Sequence, residues 1–502
     1  MHPQPAATRL CLTDLFRKRV RTRPDAPALS HGERSLTFRE LEARVRLWAA
    51  LLHRRGLRRG ERIAVWSENR TEYVEIQLAA ARLGIIVACL NWRLHSSEQL
   101  HCIRLVEPGM VLVSARYREA LECLDHGVPQ VVDLDAPIDF PSTDAADLPE
   151  GPVDPEDGFL ILYTSGTTGL PKGAVISQRA TIARSMAYAA EFRLGGEDGF
   201  IAWSPFFHMA ATDHSLATLL LGGHVIVHDG FSAEQVRATL EREPIGWLVA
   251  MPGMIEPLIE ALEAAPGTRR RVRMVGAMAD LVPRQQIARL TALLDAPYLN
   301  SFGSTETGVP PASGSLLEAG RMPESLSKQE SGWCDVRLVD EEGRDVPLET
   351  PGNMWVRGST LFSGYWAGGR IDDSELASGW FNLGDLFVRH ADGSLDFVDR
   401  SKYLIKSGGE NIYPAEIERV LLAHPGVAEA VVVRRKDDRW GEVPVAFVAL
   451  RDEALPADSL RAYCGEHLAG YKVPKEIRVI SADALPRNST GKIQKKLVEA
   501  ML

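Results

Sequence analysis

The sequence predicts an α/β protein, with a large N-terminal body of α/β subdomains that includes a β-rich section, followed by a small α+β C-terminal unit. Three observations carry this reading. Helix and strand patterns alternate through the first half, as in parallel sheets crossed by helices. Between Gly332 and His390 the texture changes to short strands and glycine-rich turns. From residue 400 to residue 502 a separate run of helices and strands has the size of a small domain.

Each element follows from local pattern. Thr37-Phe38-Arg39-Glu40 spells a capping box, in which the Thr37 hydroxyl and the Glu40 carboxylate satisfy backbone N–H groups at a helix start. Leu41, Val45, Trp48 and Leu52 then recur at helical spacing, and Gly56 is the stop. Arg62 to Trp66 reads as a strand, and a helix through Glu75, Leu78 and Ala81 ends near Gly84. Ile85 to Leu90 is an apolar, buried strand, and the alternation is expected to continue through 160–163, 219–227, 246–251 and 271–275. The Pro-, Asp- and Ala-rich stretch from Asp125 to Asp157 reads as surface connection. Near the end, Pro414 opens a helix carrying Ile417, Val420 and Leu421, and His424-Pro425-Gly426 closes it. Val427–Val433 and Val443–Leu450 are strands, Ala457–Leu468 a helix, and Glu476–Ile480 a strand. No internal repeat or low-complexity tract interrupts this.

Composition excludes several classes. With 502 residues, 45% hydrophobic and 25% charged, the chain is neither collagen-like, disordered nor a disulfide scaffold. A net charge of −10 gives no global electrostatic case for nucleic acid or an anionic membrane. The six cysteines contain no C-x-x-C pair, which argues against a zinc cluster. Arg9, Asp14, Arg17, Lys18 and Arg19 stand where a signal peptide needs an apolar core. Charges such as Arg82 interrupt every run approaching the ~18 apolar residues of a membrane span. The expectation is a soluble cytoplasmic protein without a membrane span, compatible with a homo-oligomer.

The most informative segment is Tyr163-Thr164-Ser165-Gly166-Thr167-Thr168-Gly169-Leu170-Pro171-Lys172-Gly173. Small hydroxyl and glycine residues after a strand let the backbone approach a polyanion and offer N–H and O–H donors, and Lys172 adds a cation. The spacing is not that of a Walker A loop. Composition alone would also suit a flexible surface loop.

The segment resembles the signature of the adenylate-forming superfamily, in particular its acyl-CoA synthetase and aryl- or fatty-acyl-CoA ligase branch. Further stretches resemble family motifs in family order: Ser204-Pro205-Phe206-Phe207-His208, Ser301-Phe302-Gly303-Ser304-Thr305-Glu306, Gly379 to Leu386, Asp399 to Lys402, Ser407 to Ile412, and Pro486 to Lys492. The resemblance implies the adenylate-forming enzyme fold, with residues 1–399 binding adenylate and acyl group and residues 400–502 forming a mobile C-terminal domain. It implies an AMP-forming acid–thiol ligase using ATP, Mg²⁺ and coenzyme A, which converts a carboxylic acid to its CoA thioester through an acyl-AMP.

Roles follow residue by residue from the resemblance. Thr164, Ser165, Gly166, Thr167, Thr168, Gly169 and Lys172 would hold the β- and γ-phosphates, and Glu306 the magnesium ion. Thr305 would donate to the α-phosphate, although a Ser-Thr-Glu turn is equally a helix cap. Gly276, Ala277 and Met278 occupy the adenine loop, and Ser301, Phe302, Gly303 and Ser304 complete the nucleotide site. Asp385 would accept from the ribose hydroxyls with support from Arg400. Lys492 would stabilise charge in adenylation, Lys402 would be the hinge, and His208 an aromatic gate that could equally be a buried structural histidine. His208, Met209 and Ala277 would line the acyl pocket, whose lack of an acid after His208 suits an uncharged acyl group. Gly408, Gly409, Trp440 and Lys472 would meet CoA, with Lys472 and Lys475 equally readable as solvated charges.

Several positions depart from the family pattern. The adenine loop lacks its usual proline and carries Met278, so it is expected to be less rigid and differently shaped. Leu383 replaces threonine, Phe302 tyrosine and Asn353 glutamate, and Tyr403 stands where an acid is common. An alternative is therefore an enzyme with weakened adenylation, acting mainly on a preformed acyl-adenylate. Others are the loading of a free-standing carrier protein, a luciferase-type oxygenase, and a ligand-binding regulator on a dead synthetase fold.

Overall fold

A computed structural model describes residues 9–141, 153–165, 170–265, 267–407, 410–437, 439–451, 455–487 and 493–502, with backbone alone at Ser165, Leu281, Lys402 and Asn411. The expected sites Gly166, Thr167, Thr168, Gly169, Gly408, Gly409 and Lys492 lie outside the described residues, as do the side chains of Ser165 and Lys402.

An eight-stranded sheet runs through the body. Its strand order is Arg370–Asp372, Gly364–Ala367, Pro171–Ser177, Gly158–Ser165, Ile86–Cys89, Arg62–Trp66, Met110–Val113 and Val131–Asp133. The strands from Gly158–Ser165 to Val131–Asp133 pair in parallel, as the alternation implied, while Pro171–Ser177 turns back antiparallel on Gly158–Ser165. Parallel strands bury both faces. Accordingly Ile63 and Val65 enter one hydrophobic cluster while Ala64 and Trp66 enter another. The helix Thr71–Leu83 is buried on nearly every side, including Glu75, and is closed by Gly84 in the left-handed region at φ +67°. Glu75 receives Trp48 Nε1 at 2.8 Å and Arg44 Nε at 3.0 Å, which gives its buried carboxylate partners.

Two four-stranded sheets complete the α/β body, one joining Arg34–Thr37, Pro27–His31, Val225–Val227 and Phe200–Ala202, the other Ile245–Leu248, Val272–Val275, Tyr298–Leu299 and Leu316–Leu317. The β-rich section is an antiparallel sheet of Asp335–Val339, Gly352–Arg357, Phe381–Arg389 and Leu395–Arg400. A five-stranded sheet of the C-terminal part is built from Glu410–Ile412, Ile405–Ser407, Gly441–Leu450, Val427–Asp437 and Glu476–Val479. The helices Pro414–Ala423 and Ala457–His467 start and end within a residue of the positions read from sequence. Where this part meets the body, Asp399 accepts from the backbone N–H groups of Arg400 at 2.6 Å and Ala415 at 2.7 Å.

The capping box at Thr37 forms as read, with Glu40 accepting from Thr37 N and Thr37 Oγ1 accepting from Glu40 N. Two strand assignments change. The stretch 219–227 is the end of a helix, Met209–Leu221, followed by the short strand Val225–Val227. That helix is apolar around most of its circumference, so no amphipathic period separates it from a buried strand. The stretch 246–251 stops being strand at Leu248, because Pro252 opens the next helix. Within the stretch expected to be connection, Val131–Asp133 adds an edge strand to the main sheet.

Among the described residues, no helix is long and apolar enough to cross a membrane. All six cysteines are free thiols: Cys11, Cys89, Cys102 and Cys464 are buried, Cys334 is half-buried and Cys123 is exposed. Burial pushes the thiols of Cys11 and Cys464 up to about 11 and those of Cys89 and Cys334 up to about 12, and raises Cys102 further.

Candidate active site

The described ends of the segment expected to bind phosphate belong to two antiparallel strands of the main sheet, Gly158–Ser165 and Pro171–Ser177. Thr164 faces Lys172 and Ser165 faces Pro171 across the two strands. The residues between these strands, 166–169, lie outside the described residues. Lys172 Nζ lies 2.9 Å from Glu375 Oε1 and 4.5 Å from the centroid of the Tyr365 ring. Tyr365 stands on Gly364–Ala367, the strand that pairs with Pro171–Ser177, so the sheet register brings it beside the hairpin.

Tyr365 leads to the next expected element. Its hydroxyl donates to Glu306 Oε1 at 2.8 Å. Glu306 ends the segment 301–306, which leaves the strand Tyr298–Leu299 and folds into a tight turn: Ser304 N donates to Thr307 Oγ1 at 2.9 Å and Gly308 N to Ser304 O at 2.9 Å. Gly303 has no room for a side chain, since a Cβ there would sit 2.0 Å from the Gly308 carbonyl oxygen. Phe302 points inward, its ring 4.7 Å from Phe387 and 5.5 Å from Phe397. Phe387 lies on the strand that bears Asp385, so this stack joins two of the predicted binding segments.

Asp385 and Arg400 sit opposite each other on neighbouring strands, with Arg400 Nε 3.1 Å from Asp385 Oδ1. Asp385 is 2% exposed, a nearly buried carboxylate with the Arg400 guanidinium beside it. Asn353 Oδ1 accepts from Ser401 Oγ at 2.5 Å, so the residue that departs from the family pattern ties the β-rich sheet to the start of the C-terminal part.

The adenine loop differs from expectation. In place of a proline, two ring donors fix its carbonyls: Trp247 Nε1 donates to Gly276 O at 2.8 Å and Tyr298 OH to Ala277 O at 2.9 Å. Ala279 N donates to Asn300 Oδ1 at 3.2 Å. Met278 takes a left-handed conformation at φ +47°, a shape in which proline could not stand. The loop, expected to be less rigid, is pinned by side chains rather than loosened.

His208 caps the helix Met209–Leu221, with Nδ1 accepting from Ala210 N at 3.2 Å. Burial and the nearby Arg93 cation push the imidazole down to about 4. The ring is therefore neutral at pH 7, and with Nδ1 as acceptor its proton is on Nε2. Met209 is buried beside it. In the C-terminal part, Trp440 is exposed on the Val427–Asp437/Gly441–Leu450 hairpin, with Arg439 4.8 Å from its ring centroid. Lys472 is not a solvated charge: its ammonium donates to both carboxylate oxygens of Glu416 at 2.8 Å.

The structure thus joins Lys172, Tyr365 and Glu306 directly, with Phe302 and the Asp385 strand adjoining, while Trp440 and Lys472 stand apart on the C-terminal part. Among the described residues no group of three or more His, Cys, Asp or Glu side chains could hold a metal ion. A single Glu306 carboxylate near the segment expected to bind phosphate would suit a magnesium ion that shares its coordination with nucleotide phosphates. Sequence reasoning missed Tyr365, Glu375 and Arg184. Arg184 and Asp213 did leave a signal: each is a charge amid small and apolar residues of a helix, which demands a partner.

Comparisons with known proteins agree with this geometry. The family model AMP-binding enzyme matches residues 16–366, and the model of the AMP-binding enzyme C-terminal domain matches residues 416–492. A feruloyl-CoA synthase of an Amycolatopsis species is 34% identical over 95% of this chain and 96% of its own. An indoleacetate–CoA ligase of Aromatoleum aromaticum is 32% identical over 95% and 96% of the two chains. The o-succinylbenzoate CoA synthetase of Bacillus subtilis, solved with its acyl-adenylate intermediate, superposes with a TM-score of 0.84 at 27% identity over 98% of each chain. The same Bacillus enzyme has been solved with ATP and a magnesium ion, at a TM-score of 0.82 and 27% identity over 96% of this chain and 98% of its own.

Proposed function

The chain belongs to the AMP-binding enzyme family, and from that premise we propose that it is an acyl-CoA ligase that activates a carboxylate whose acyl group is aromatic and otherwise uncharged. The observation that carries this reading is the line of groups at the hairpin mouth, in which Lys172, Tyr365 and Glu306 are in contact. Adenylation is resisted chiefly by repulsion between a carboxylate and a polyphosphate, so cations and oriented donors around the phosphates lower its barrier.

In the first step the acid's carboxylate oxygen attacks the α-phosphorus, the bond to the β-phosphate breaks and pyrophosphate leaves. The hairpin and Lys172 hold the departing phosphates, Thr305 donates to the α-phosphate, and Asp385 with Arg400 receives the ribose. A magnesium ion arriving with the nucleotide would neutralise phosphate charge, held by Glu306. Lys492 stabilises the charge developing between carboxylate and phosphorus. In the second step a thiolate attacks the acyl carbonyl and AMP leaves. For this the unit from residue 400 onward turns about Lys402, withdraws Lys492, and brings Gly408 and Gly409 to the thiol's path. Lys472 can serve CoA only after exchanging Glu416 for a phosphate, and exposed Trp440 offers a ring face.

The acyl group is expected to be uncharged. After His208 come Met209, Ala210 and Ala211, and the first acid on that helix, Asp213, is already paired with Arg184 at 2.8 Å, leaving nothing to meet a substrate amine. The named substrates of the two curated relatives, feruloyl and indoleacetyl groups, support an aromatic acid.

The test is to incubate the protein with a panel of aromatic, fatty and alicyclic acids, ATP, Mg²⁺ and CoA, and to follow pyrophosphate, AMP and thioester by mass spectrometry. Thioester from an aromatic acid supports the reading, and absence of AMP with every acid refutes it. Synthetic acyl-AMP as substrate isolates the second step. If wild-type converts acyl-AMP far faster than it makes it, the weakened-adenylation alternative replaces the full reaction. Lys492→Ala is expected to abolish pyrophosphate release while sparing the second step.

A further inference from the structure

Arg184 is a buried and heavily engaged charged side chain of the body that the proposed chemistry does not use. It lies on the helix Gln178–Glu191 and is 1% exposed. Its Nη1 donates to Asp213 Oδ2 at 2.8 Å, and its Nε to the carbonyl of Thr360 at 2.9 Å. Its Nη2 donates to the carbonyls of Thr305 at 3.0 Å and Glu306 at 3.3 Å. The turn lies flat on the side chain: a Cβ at Gly308 would stand 2.7 Å from Arg184 Nε. Asp213, also buried, belongs to the helix that His208 caps.

A buried ion pair is a poor source of stability, because desolvation of both charges offsets their attraction and an apolar pair of equal volume does as well. What a guanidinium offers is geometry, with donors in a rigid plane that reach several acceptors at once. Here those acceptors are the main-chain carbonyls of the two residues proposed to meet the nucleotide, together with the Thr360 carbonyl on the chain leading to Tyr365. One group thus sets the pitch of the Thr305–Glu306 turn against the gate helix.

We infer that Arg184, held by Asp213, is a positioning residue for adenylation, fixing Thr305 and Glu306 where they meet the phosphates of Mg-ATP. The inference rests on the ligase reading for its kinetic arm, but its binding arm does not.

The experiment compares wild-type with Arg184→Lys and Asp213→Asn. Lysine keeps the charge and can pair with Asp213, but one ammonium cannot also serve three carbonyls on different segments. Three quantities are read for each: Mg-ATP affinity by calorimetry without acid, pyrophosphate release with acid, and thioester formation from synthetic acyl-AMP and CoA. Arg184→Lys is expected to weaken Mg-ATP binding and slow pyrophosphate release by about tenfold, the scale on which outer partners of a ligand set act, and to leave the second step within about twofold. Asp213→Asn, which keeps a hydrogen bond to Arg184, is expected to shift the same two quantities in the same direction by a smaller factor. Unchanged Mg-ATP affinity in both variants overturns the inference, as does an equal fall in both half-reactions, which is the mark of a merely structural role. Should Arg184→Lys fail to fold, Asp213→Asn alone decides by the same split. A wild-type protein that binds Mg-ATP tenfold better than Arg184→Lys yet activates no acid would sink the ligase reading and leave the positioning role standing.

Discussion

Gly276 offers a sharp test of the adenine loop. Its φ of +94° is one that L residues rarely adopt, and a Cβ there would lie 2.2 Å from two ring atoms of Tyr298 and 2.6 Å from a third. Tyr298 is fully buried and its hydroxyl is bonded to Ala277 O, so the ring has nowhere to move without releasing the loop. Gly276→Ala therefore combines a strained backbone, about 1–3 kcal/mol, with overpacking, about 1–3 kcal/mol, for a total of about 2–6 kcal/mol. Part of that strain will be relieved by displacing the carbonyls of Gly276 and Ala277. The expected result is a urea midpoint well below wild-type together with a KM for ATP raised at least tenfold, while the KM for CoA changes little. Tyr298→Phe, which removes only the hydroxyl, should cost about 0.5–1.5 kcal/mol and raise the ATP KM modestly. An alanine variant with wild-type urea midpoint and wild-type ATP KM would refute the reasoning.

Other outcomes follow from the same contacts. Glu375 pairs with Lys172, the cation proposed to meet phosphate, and an exposed pair of this kind is worth about 0.2–1 kcal/mol; Glu375→Gln should lower the ATP KM by up to about fivefold, and a rise would contradict the proposal. Tyr365→Phe removes one donor from Glu306, and titration of activity against magnesium concentration should shift while the KM for the acid stays put. Burial holds His228 down to about 4, against an ordinary value of 6.5. The unfolded ring takes up a proton that the folded ring refuses, so stability declines as pH falls from about 6.5 toward 4. His228→Asn should flatten the pH dependence of the urea midpoint over that window, and an unchanged slope would count against the burial argument.

Much of the fold was legible because local patterns agree with tertiary placement. The Thr37 box, the Gly84 stop and the Pro414 start each satisfy a backbone requirement within a few residues of chain. The helix Met209–Leu221 was not legible, since burial all round erases the period that marks a surface helix. At the site, residues in runs could be read: the hairpin, the 301–306 turn and the Asp385–Arg400 pair. Arg184, Glu375 and Tyr365 come from separate segments and converge only through strand register and helix packing. The adenine loop shows the same limit, because the rings that replace its proline, Trp247 and Tyr298, lie 29 and 21 residues in sequence from the carbonyls they hold.

The burial of the cysteines has a consequence for any protein that generates a mixed anhydride inside itself. Such a compound modifies whichever sulfur is ionised and within reach; Cys11, Cys89, Cys102 and Cys464 are withheld on both counts, and half-buried Cys334 by its raised pKa. Self-inflicted damage is thereby narrowed to Cys123, out on the surface at the end of the helix Ala115–Glu122.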